Sequence, residues 1–416
     1  MSRMLPSSSM KISKSFKFKL IPTAGQKEMF AQNAGVCRFL YNLCLEHRIL
    51  SWTQYRHGIN YYDQANQLKD MKKVEGFEWL KTPPSQILQQ SLKDLDRAFS
   101  NFFKGISDFP KFKKRGGQDS FRFPDPKQFF VEILTKRLGA VTLPKIGRVK
   151  YIKSRDIEGR IRNATISRDG DDWYISFNCE QEIEFPGISG TGVGIDRGIA
   201  KTIALSNESG YCSDELILPA NIIKGIEDRI GVLQKRLRKM VKFSQAWKKA
   251  KKAIGKLHRK ITRIRHDFLH KLSTKLTKNH SLLVLEKLKI KNMSKSASGT
   301  LEEPGSNVAA KSGLNRSILR QGWYMFQTFL EYKSKWYGSE IEFVPAHYSS
   351  QTCSRCSHRD SENRKSQEHF QCIKCGHAEN ADNNAAKVIF TRGQRGSACG
   401  GAGVALAVEA GATLCV

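Results

Sequence analysis

Three carboxylates in this 416-residue chain stand where ordinary folding would avoid a charge. Asp196 closes the apolar run Gly192-Val193-Gly194-Ile195, Glu286 closes Leu282-Leu283-Val284-Leu285, and Asp382 opens a segment with helical character, Asp382-Asn383-Asn384-Ala385-Ala386. The end of a buried strand is a costly place for a lone charge. It becomes reasonable if the two strands are neighbours in one sheet and the acids converge on divalent cations, which take hard oxygen ligands and leave positions for water and phosphate. Two magnesium ions about 3.5 to 4 Å apart can activate water on one side of a phosphodiester and stabilise the leaving oxygen on the other. The chemistry expected is phosphodiester hydrolysis by in-line attack. Singly, each acid is an ordinary strand-end or N-cap residue; the order strand, strand, helix gives the three their weight.

Four cysteines lie just before Asp382, in Cys353-x-x-Cys356 and Cys372-x-x-Cys375, with residues 357 to 371 between the pairs. Two such turns present four thiolates to one tetrahedral zinc ion. His358, His369 and His377 are near enough to substitute, but a complete cysteine set leaves them as solvent-exposed residues. A zinc ion with no open coordination position folds a small ribbon and performs no chemistry.

Seventy Lys plus Arg against 39 Asp plus Glu give a net charge of +31. Such a field repels itself unless it meets a polyanion, and nucleic acid is the expected partner. A membrane surface is the rival, but the N-terminus has no apolar signal core and no apolar run approaches about eighteen residues. A soluble intracellular protein is expected. The remaining cysteines, Cys37, Cys44, Cys179, Cys212, Cys399 and Cys415, show no paired spacing, which suits a reducing compartment and buried small side chains.

The elements that must position these residues are legible in outline. Residues Lys11 to Leu20 alternate with period two, Ile12, Phe16, Phe18 and Leu20 against Lys14, Lys17 and Lys19, and Pro22-Thr23 then opens a helix. From about Gly25 to Lys104 the pattern is helical, with Cys37, Leu40, Tyr41, Cys44 and Leu45 on one face and Ile87, Leu88, Leu92, Leu95, Phe99, Phe102 and Phe103 on another. Phe109 to Gly117 interleaves rings and cations, chemistry suited to phosphates and stacked bases. Short β-rich runs from Ser120 to about Glu184 predict a small barrel completed by the first strand. Pro186 to Gly190 is a linker. Two strands, within 192–198 and 199–206, open the second half. A basic helical hairpin over 221–278, with 19 Lys plus Arg against 3 acids, buries Ile222, Ile226, Ile230, Leu233, Leu237 and Met240 against Ile254, Leu257, Ile261, Ile264, Phe268 and Leu272. Residues 294 to 315 read as a mobile loop, 317–337 as one helix, 340–344 as a strand, and the tail after Phe390 as disordered.

Phe16-Lys17-Phe18-Lys19-Leu20-Ile21-Pro22-Thr23, Cys37-Arg38-Phe39-Leu40-Tyr41-Asn42, Phe109-Pro110-Lys111-Phe112-Lys113, Gly194-Ile195-Asp196-Arg197-Gly198, Leu285-Glu286-Lys287-Leu288, the cysteine ribbon and Asp382-x-Asn384-Ala385-Ala386 together resemble the TnpB (OrfB) proteins of bacterial and archaeal insertion sequences, relatives of the type V CRISPR nucleases. The resemblance runs from about Met10, where the family usually starts, to Phe390. It implies a multidomain α/β plus β-barrel protein: a first wedge strand after an N-terminal extension (1–22), a helical recognition insertion (23–108), a wedge β-barrel (109–186), an RNase H-like (RuvC) nuclease domain (187–346), an inserted four-cysteine zinc ribbon (347–380), a last nuclease helix (381–390) and a flexible tail (391–416). It implies an RNA-guided DNA endonuclease working with a transposon-derived guide RNA on double-stranded DNA, in a prokaryotic cytoplasm with the nucleoid. Asp196, Glu286 and Asp382 would hold two Mg2+, and Cys353, Cys356, Cys372 and Cys375 a structural Zn2+. Lys17, Lys19, Arg38, Tyr41, Lys111, Lys113, Lys114, Arg115, Lys248, Lys249 and Arg259 are the expected nucleic-acid contacts. An RNA-independent transposase of the same fold, or a guide-bound protein that does not cleave, are the alternatives.

Overall fold

The computed structural model describes residues 9–116, 119–184, 190–199, 201–300 and 302–399, and the chain divides into two units, Ser9–Ile183 and the residues from Glu184 onward. The expected N-terminal extension, the Pro186 to Gly190 linker, Cys415 and the tail beyond residue 399 lie essentially outside the described residues, as does the side chain of Cys399.

In the first unit, β1 (Ser9–Ile21) turns Phe16, Phe18 and Leu20 inward, each 2 % exposed, and Lys17 and Lys19 outward, as a pleated strand must. The Thr23 hydroxyl accepts from the Gln26 N–H and the Gln26 side chain accepts from the Thr23 N–H, a reciprocal cap that starts α1 (Ala24–Tyr55). Then come α2 (Tyr61–Met71) and α3 (Ser85–Phe103). Arg48 of α1 is buried and ties the three helices together, donating to Gln64 at 2.9 Å and Asp96 at 3.1 Å. The two expected apolar stripes are buried in one core except at the end of α3. Phe103 is 78 % exposed, since neighbours on a helix point about 100° apart and Phe102, packed 5.2 Å from the Phe109 ring, takes the inward direction.

The strands β2 (Ser120–Phe123), β3 (Phe130–Thr135), β4 (Leu138–Leu143), β5 (Gly147–Ile152), β6 (Arg160–Asp169) and β7 (Asp172–Glu184) join β1 in one seven-stranded sheet, ordered β2-β6-β7-β1-β5-β4-β3. The first strand lies at its centre. Among the described residues β2 and β3 are the two ends and share no ladder, so the expected barrel is a sheet curled round an aromatic core with an open seam. Rings from β1, β5 and β7 meet there, Phe18–Tyr151 at 5.2 Å and Tyr151–Phe177 at 5.8 Å. Phe129, just before β3, spans the seam to Phe123 of β2 at 6.5 Å.

The second unit is built on a four-stranded sheet. Its chain order is β8 (Val193–Asp196), β9 (Ala204–Leu205), α4 (Ser213–Leu216), α5 (Ala220–Arg238), α6 (Gln245–Asn279), β10 (Leu282–Glu286), α7 (Ile290–Met293), α8 (Val308–Gln321), α9 (Trp323–Tyr337), β11 (Glu340–Val344), β12 (His369–Gln371), β13 (Ala378–Asn380) and α10 (Ala381–Cys399). The sheet order is β11-β10-β8-β9, with β8, β10 and β11 parallel and β9 antiparallel to β8. Val193, Ile195, Leu283 and Leu285 pack against Leu269, Leu272 and Leu276 of α6 and Phe326, Phe329 and Leu330 of α9. Val284 and Val344 pack against Ile389 of α10 on the other face. Both faces are covered, hence the uninterrupted apolar strands.

Several local expectations change. In the hairpin α5–α6 the buried residue is Ile223, while Ile222 is 58 % exposed. The strand expected over 199–206 is only Ala204–Leu205. The expected loop over 294–315 gives way at Val308 to α8; that helix is mostly exposed and holds Gly313 and Asn315, so apolar periodicity does not announce it. The helix expected over 317–337 is broken at Gly322, whose φ of 71° ends α8 and begins α9. The last helix continues to Cys399 rather than stopping at Phe390, because Gly393 is a contact and not a breaker: a Cβ there would lie 2.5 Å from the Val284 side chain. Cys37, Cys44 and Cys179 are buried as expected, but Cys212 is exposed. No helix among the described residues is long and apolar enough to cross a membrane.

Candidate functional site

The parallel ladder sets Leu285 of β10 beside Ile195 of β8, so Glu286 and Asp196 end adjacent strands. α10 crosses this sheet at close range. A Cβ on Gly194 would stand 2.1 Å from the Ala386 carbonyl oxygen, and Ala385 and Ala386 are themselves buried. Small residues on both sides allow the approach, which sets Asp382, in the first turn of α10, beside the other two acids. Asn380 caps that turn, its side-chain oxygen accepting from the Asp382 N–H at 3.0 Å and the Asn383 N–H at 3.3 Å.

The three acids are coupled through their charges, although they do not close into a metal-ligating group as the four cysteines do. Burial, then the charge of Glu286, then that of Asp382 push the Asp196 carboxyl up to about 7. Burial also raises Glu286 and Asp382. Glu286 accepts from the Ser349 hydroxyl at 2.5 Å. Its backbone carbonyl accepts from the Arg197 guanidinium, which also reaches Gln327 at 3.3 Å. Arg197 is 5 % exposed and burial brings its pKa down to about 10. Arg364 reaches within 4.0 Å of the Asp382 carboxylate, and Lys201 and Arg392 add positive charge near Asp382 and Glu286. Arg197, Ser349, Arg364, Lys201 and Arg392 were not singled out from sequence; only Arg197 adjoins an expected site residue, Ser349, Arg364 and Lys201 come from irregular segments with no motif of their own, and Arg392 from the part of α10 beyond Phe390.

The four cysteine sulfurs lie within 4.8 Å of one another, and no other such metal-ligating group occurs among the described residues. Cys353–Cys375 and Cys356–Cys372 are 3.7 and 3.6 Å apart, close to the edge of roughly 3.8 Å that a tetrahedral ion about 2.3 Å from each sulfur requires. Both turns have the same construction. The Cys353 N–H donates to the His358 carbonyl and the Ser357 N–H to the Cys353 carbonyl, each at 2.9 Å; Cys372, His377 and Gly376 repeat this at 2.8 and 3.0 Å. His358, His369 and His377 stand outside the sulfur group; His369 is exposed, whereas His358 and His377 are half-buried. Asn384, fully buried on α10, accepts from the Ser354 N–H at 2.9 Å and donates to the Thr352 carbonyl at 2.8 Å.

The expected nucleic-acid contacts divide. Lys17, Lys19, Lys111, Lys114, Arg115, Lys248 and Lys249 are exposed, although Lys19 pairs with Asp172 at 3.0 Å and Lys111 with Asp108 at 3.5 Å. Arg259 is half-buried. Arg38 and Tyr41 are not open surface. Arg38 pairs with Asp119 at 2.6 Å, and Tyr41, 6 % exposed, carries the Lys113 ammonium 3.9 Å over its ring. Beside them Asn42 makes two bonds to the Lys113 backbone, at 2.8 and 3.0 Å. This face of α1 holds the basic loop in place.

The fold is that of compact Cas12 proteins. A solved complex of Cas12f1 with sgRNA and target DNA aligns with a TM-score of 0.55 at 14 % identity, covering 91 % of this chain and 98 % of that one; Cas_phi3 aligns at 0.50 and 10 %, covering 92 % of each. Family models match at residues 176–297 (OrfB of IS605, "Probable transposase"), 10–57 (its "Helix-turn-helix domain") and 323–389 ("Cas12f1-like, TNB domain"). Over 10–57 the structure has a strand and a single long helix. The chain is 42 % identical over 392 residues to "Putative RNA-guided DNA endonuclease InsQ" of Escherichia coli K12, covering 94 % of this chain and 95 % of the relative. It is 30 % identical over 394 residues to a Streptomyces pristinaespiralis protein described in the same words, covering 94 % and 91 %. The chain belongs to the OrfB family of IS605-type elements, the TnpB proteins.

Proposed function

We propose that this protein is an RNA-guided DNA endonuclease that hydrolyses a target strand at Asp196, Glu286 and Asp382, beside a structural zinc held by Cys353, Cys356, Cys372 and Cys375. The observation that carries this reading is that two parallel strand ends and a helix start place three acids so that burial and the charges of Glu286 and Asp382 push Asp196 up to about 7. Buried negative charge in excess calls for cations, and carboxylate oxygens suit magnesium. Two magnesium ions bound there would supply a water of lowered pKa and charge to stabilise the leaving oxygen.

The residues of the chain do the positioning. β8 and β10 fix Asp196 and Glu286 in register, Ser349 and Arg197 hold the Glu286 side chain and carbonyl, and α10 brings Asp382 across the sheet. Arg364 stands ready for the negative charge that builds on a phosphate in flight. The net charge of +31 serves the backbones of a guide RNA and its DNA target, while base pairing carries the sequence information. The curled sheet and helices of the first unit act as the wedge and recognition parts, and the substrate places the protein with DNA in a prokaryotic cytoplasm.

Expression with its flanking transposon DNA, followed by sequencing of co-purified RNA and a magnesium-dependent cleavage assay on a matched plasmid library, tests the reading. A discrete RNA with guide-dependent cutting is expected, and Asp196→Ala abolishes the cutting while target binding persists. No RNA, with activity only on element ends, transfers the case to a transposase. Equal loss of binding and cutting in the variant removes Asp196 from the site.

A further inference from the structure

Arg265 of α6 and Arg320 of α8 are both half-buried, and one carboxylate, Glu227 of α5, serves the two of them. Arg320 donates to Glu227 through Nη2. The Nε–H groups of Arg320 and Arg265 are both buried without a hydrogen-bond partner, and Glu227, bonded to Arg320, acts on Arg265 only through its charge. Its stem is nevertheless fixed: the Gly322 turn packs on it so closely that a Cβ there would lie 3.0 Å from Arg265 Cδ and 3.2 Å from Leu269. The side chain is held while its head group is unfilled.

Each unsatisfied buried donor costs about 1 to 3 kcal/mol. Two guanidiniums around one carboxylate also leave a net positive charge, and burial together with Arg320 lowers the Arg265 pKa. Such a pair is completed by an anion that accepts from planar forks, for which phosphate is the matching geometry. The surrounding hairpin carries 19 Lys plus Arg and only three acids between residues 221 and 278, Glu227 being one. A carboxylate kept in so basic a surface, and bonded to one of the two arginines, would compete with such a phosphate for that arginine.

We infer that Arg265 and Arg320 form a clamp for one backbone phosphate of the guide–target duplex, and that Glu227 holds Arg320 until that phosphate displaces it. This rests on the guided-nuclease reading. The test is fluorescence anisotropy of an RNA–DNA duplex of about 20 base pairs with the full chain, from roughly 0.05 to 0.2 M salt, with thermal midpoints measured alongside. Arg265→Ala shrinks the slope of log affinity against log salt by about 0.7 to 0.9, the loss of one phosphate contact. Glu227→Gln tightens binding several-fold, because Arg320 no longer has a competing carboxylate. The opposite signs separate the clamp from a structural role, in which both variants weaken binding. Arg265→Lys covers unfolding of the alanine variant: it keeps the stem and charge and loses affinity. An unchanged slope in Arg265→Ala, unchanged affinity in Arg265→Lys, or weaker binding by Glu227→Gln overturns the clamp. Wild-type binding that is absent or insensitive to salt overturns the guided-nuclease reading and the clamp with it.

Discussion

Gly194→Ala isolates the contact that brings the three acids together. The new Cβ would stand 2.1 Å from the Ala386 oxygen, 2.7 Å from the Phe390 nitrogen and 2.8 Å from Phe390 Cβ. These are chiefly backbone atoms of α10, which have no rotamer to adopt. An ordinary carbon–oxygen contact of about 3.3 Å leaves a shortfall of about 1.2 Å, so α10 must lift from β8 by roughly that distance. Asp196 lies two residues along the strand and Asp382 one turn before Ala386, so the lift separates the acids directly. Overpacking of this kind costs about 1 to 3 kcal/mol, whereas a displacement near 1 Å at reacting groups costs about 100-fold in rate. The variant is expected to fold, bind RNA, melt at a modestly lower temperature and lose about two orders of magnitude in single-turnover cleavage. Gly192→Ala is the control: its Cβ would stand 2.7 Å from the Phe390 ring edge, and a ring can turn aside, so the loss is smaller. Wild-type stability and rate in Gly194→Ala would refute the close approach, and RNA binding lost in step with cleavage would refute its local action.

Three further outcomes are expected. Gly376 and Ser357 occupy equivalent places in the two cysteine turns with φ of 70° and 60°; Gly376→Ala, where a Cβ meets nothing within 4 Å, costs about 1 kcal/mol of backbone strain and speeds zinc loss to a chelator, whereas Ser357→Gly slows it. Arg364→Ala lowers cleavage at least about tenfold with RNA and target binding intact, and an unchanged rate removes Arg364 from the site. His280 is 7 % exposed and held neutral between the Thr191 carbonyl and the Tyr211 hydroxyl, each at 3.0 Å, with burial moving its pKa below the ordinary 6.5. The unfolded chain therefore takes up the proton first, and this contribution to stability, complete above pH 6.5, is lost as pH falls toward the folded pKa. Urea midpoints fall less between neutral and acid pH in His280→Gln than in wild type; parallel curves contradict the assignment.

The placement of Asp196 and Glu286 at adjacent strand ends and of Asp382 at a helix start was legible because apolar strands that stop at a charge need no tertiary information to recognise. Glu286, however, is fixed by Ser349, 63 residues away, and Asp382 meets Arg364 of the ribbon; a serine and an arginine in polar loops carry no local signal of such a role. Glycine misled in one place and informed in another. Gly393 resembles a helix stop and is in fact a contact with Val284, and the two cysteine turns need the same positive φ although only one has glycine to supply it. Arg38 and Tyr41 stand in the motif Cys37 to Asn42 that carries the family resemblance, yet in the fold they are engaged by Asp119 and Lys113, which lie far along the chain.

Asn384 ties the cysteine ribbon to the start of the helix that carries Asp382. Its amide, fully buried, bonds to the backbone on both sides of Cys353, at Thr352 and Ser354, while its own residue sits in the first turn of α10. The backbone leading into the first cysteine turn is therefore bonded directly to the helix that presents Asp382 two residues earlier. The second turn reaches the same helix through β13, which runs without a gap into α10. A metal with four sulfur ligands rigidifies both turns at once, so it fixes the start of α10 at two points on opposite sides of the acid. Preorganisation of that carboxylate is then a property of the ribbon as much as of the sheet, and a ribbon emptied of metal would impair cutting through the position of Asp382 before it impaired the folding of β8 and β10.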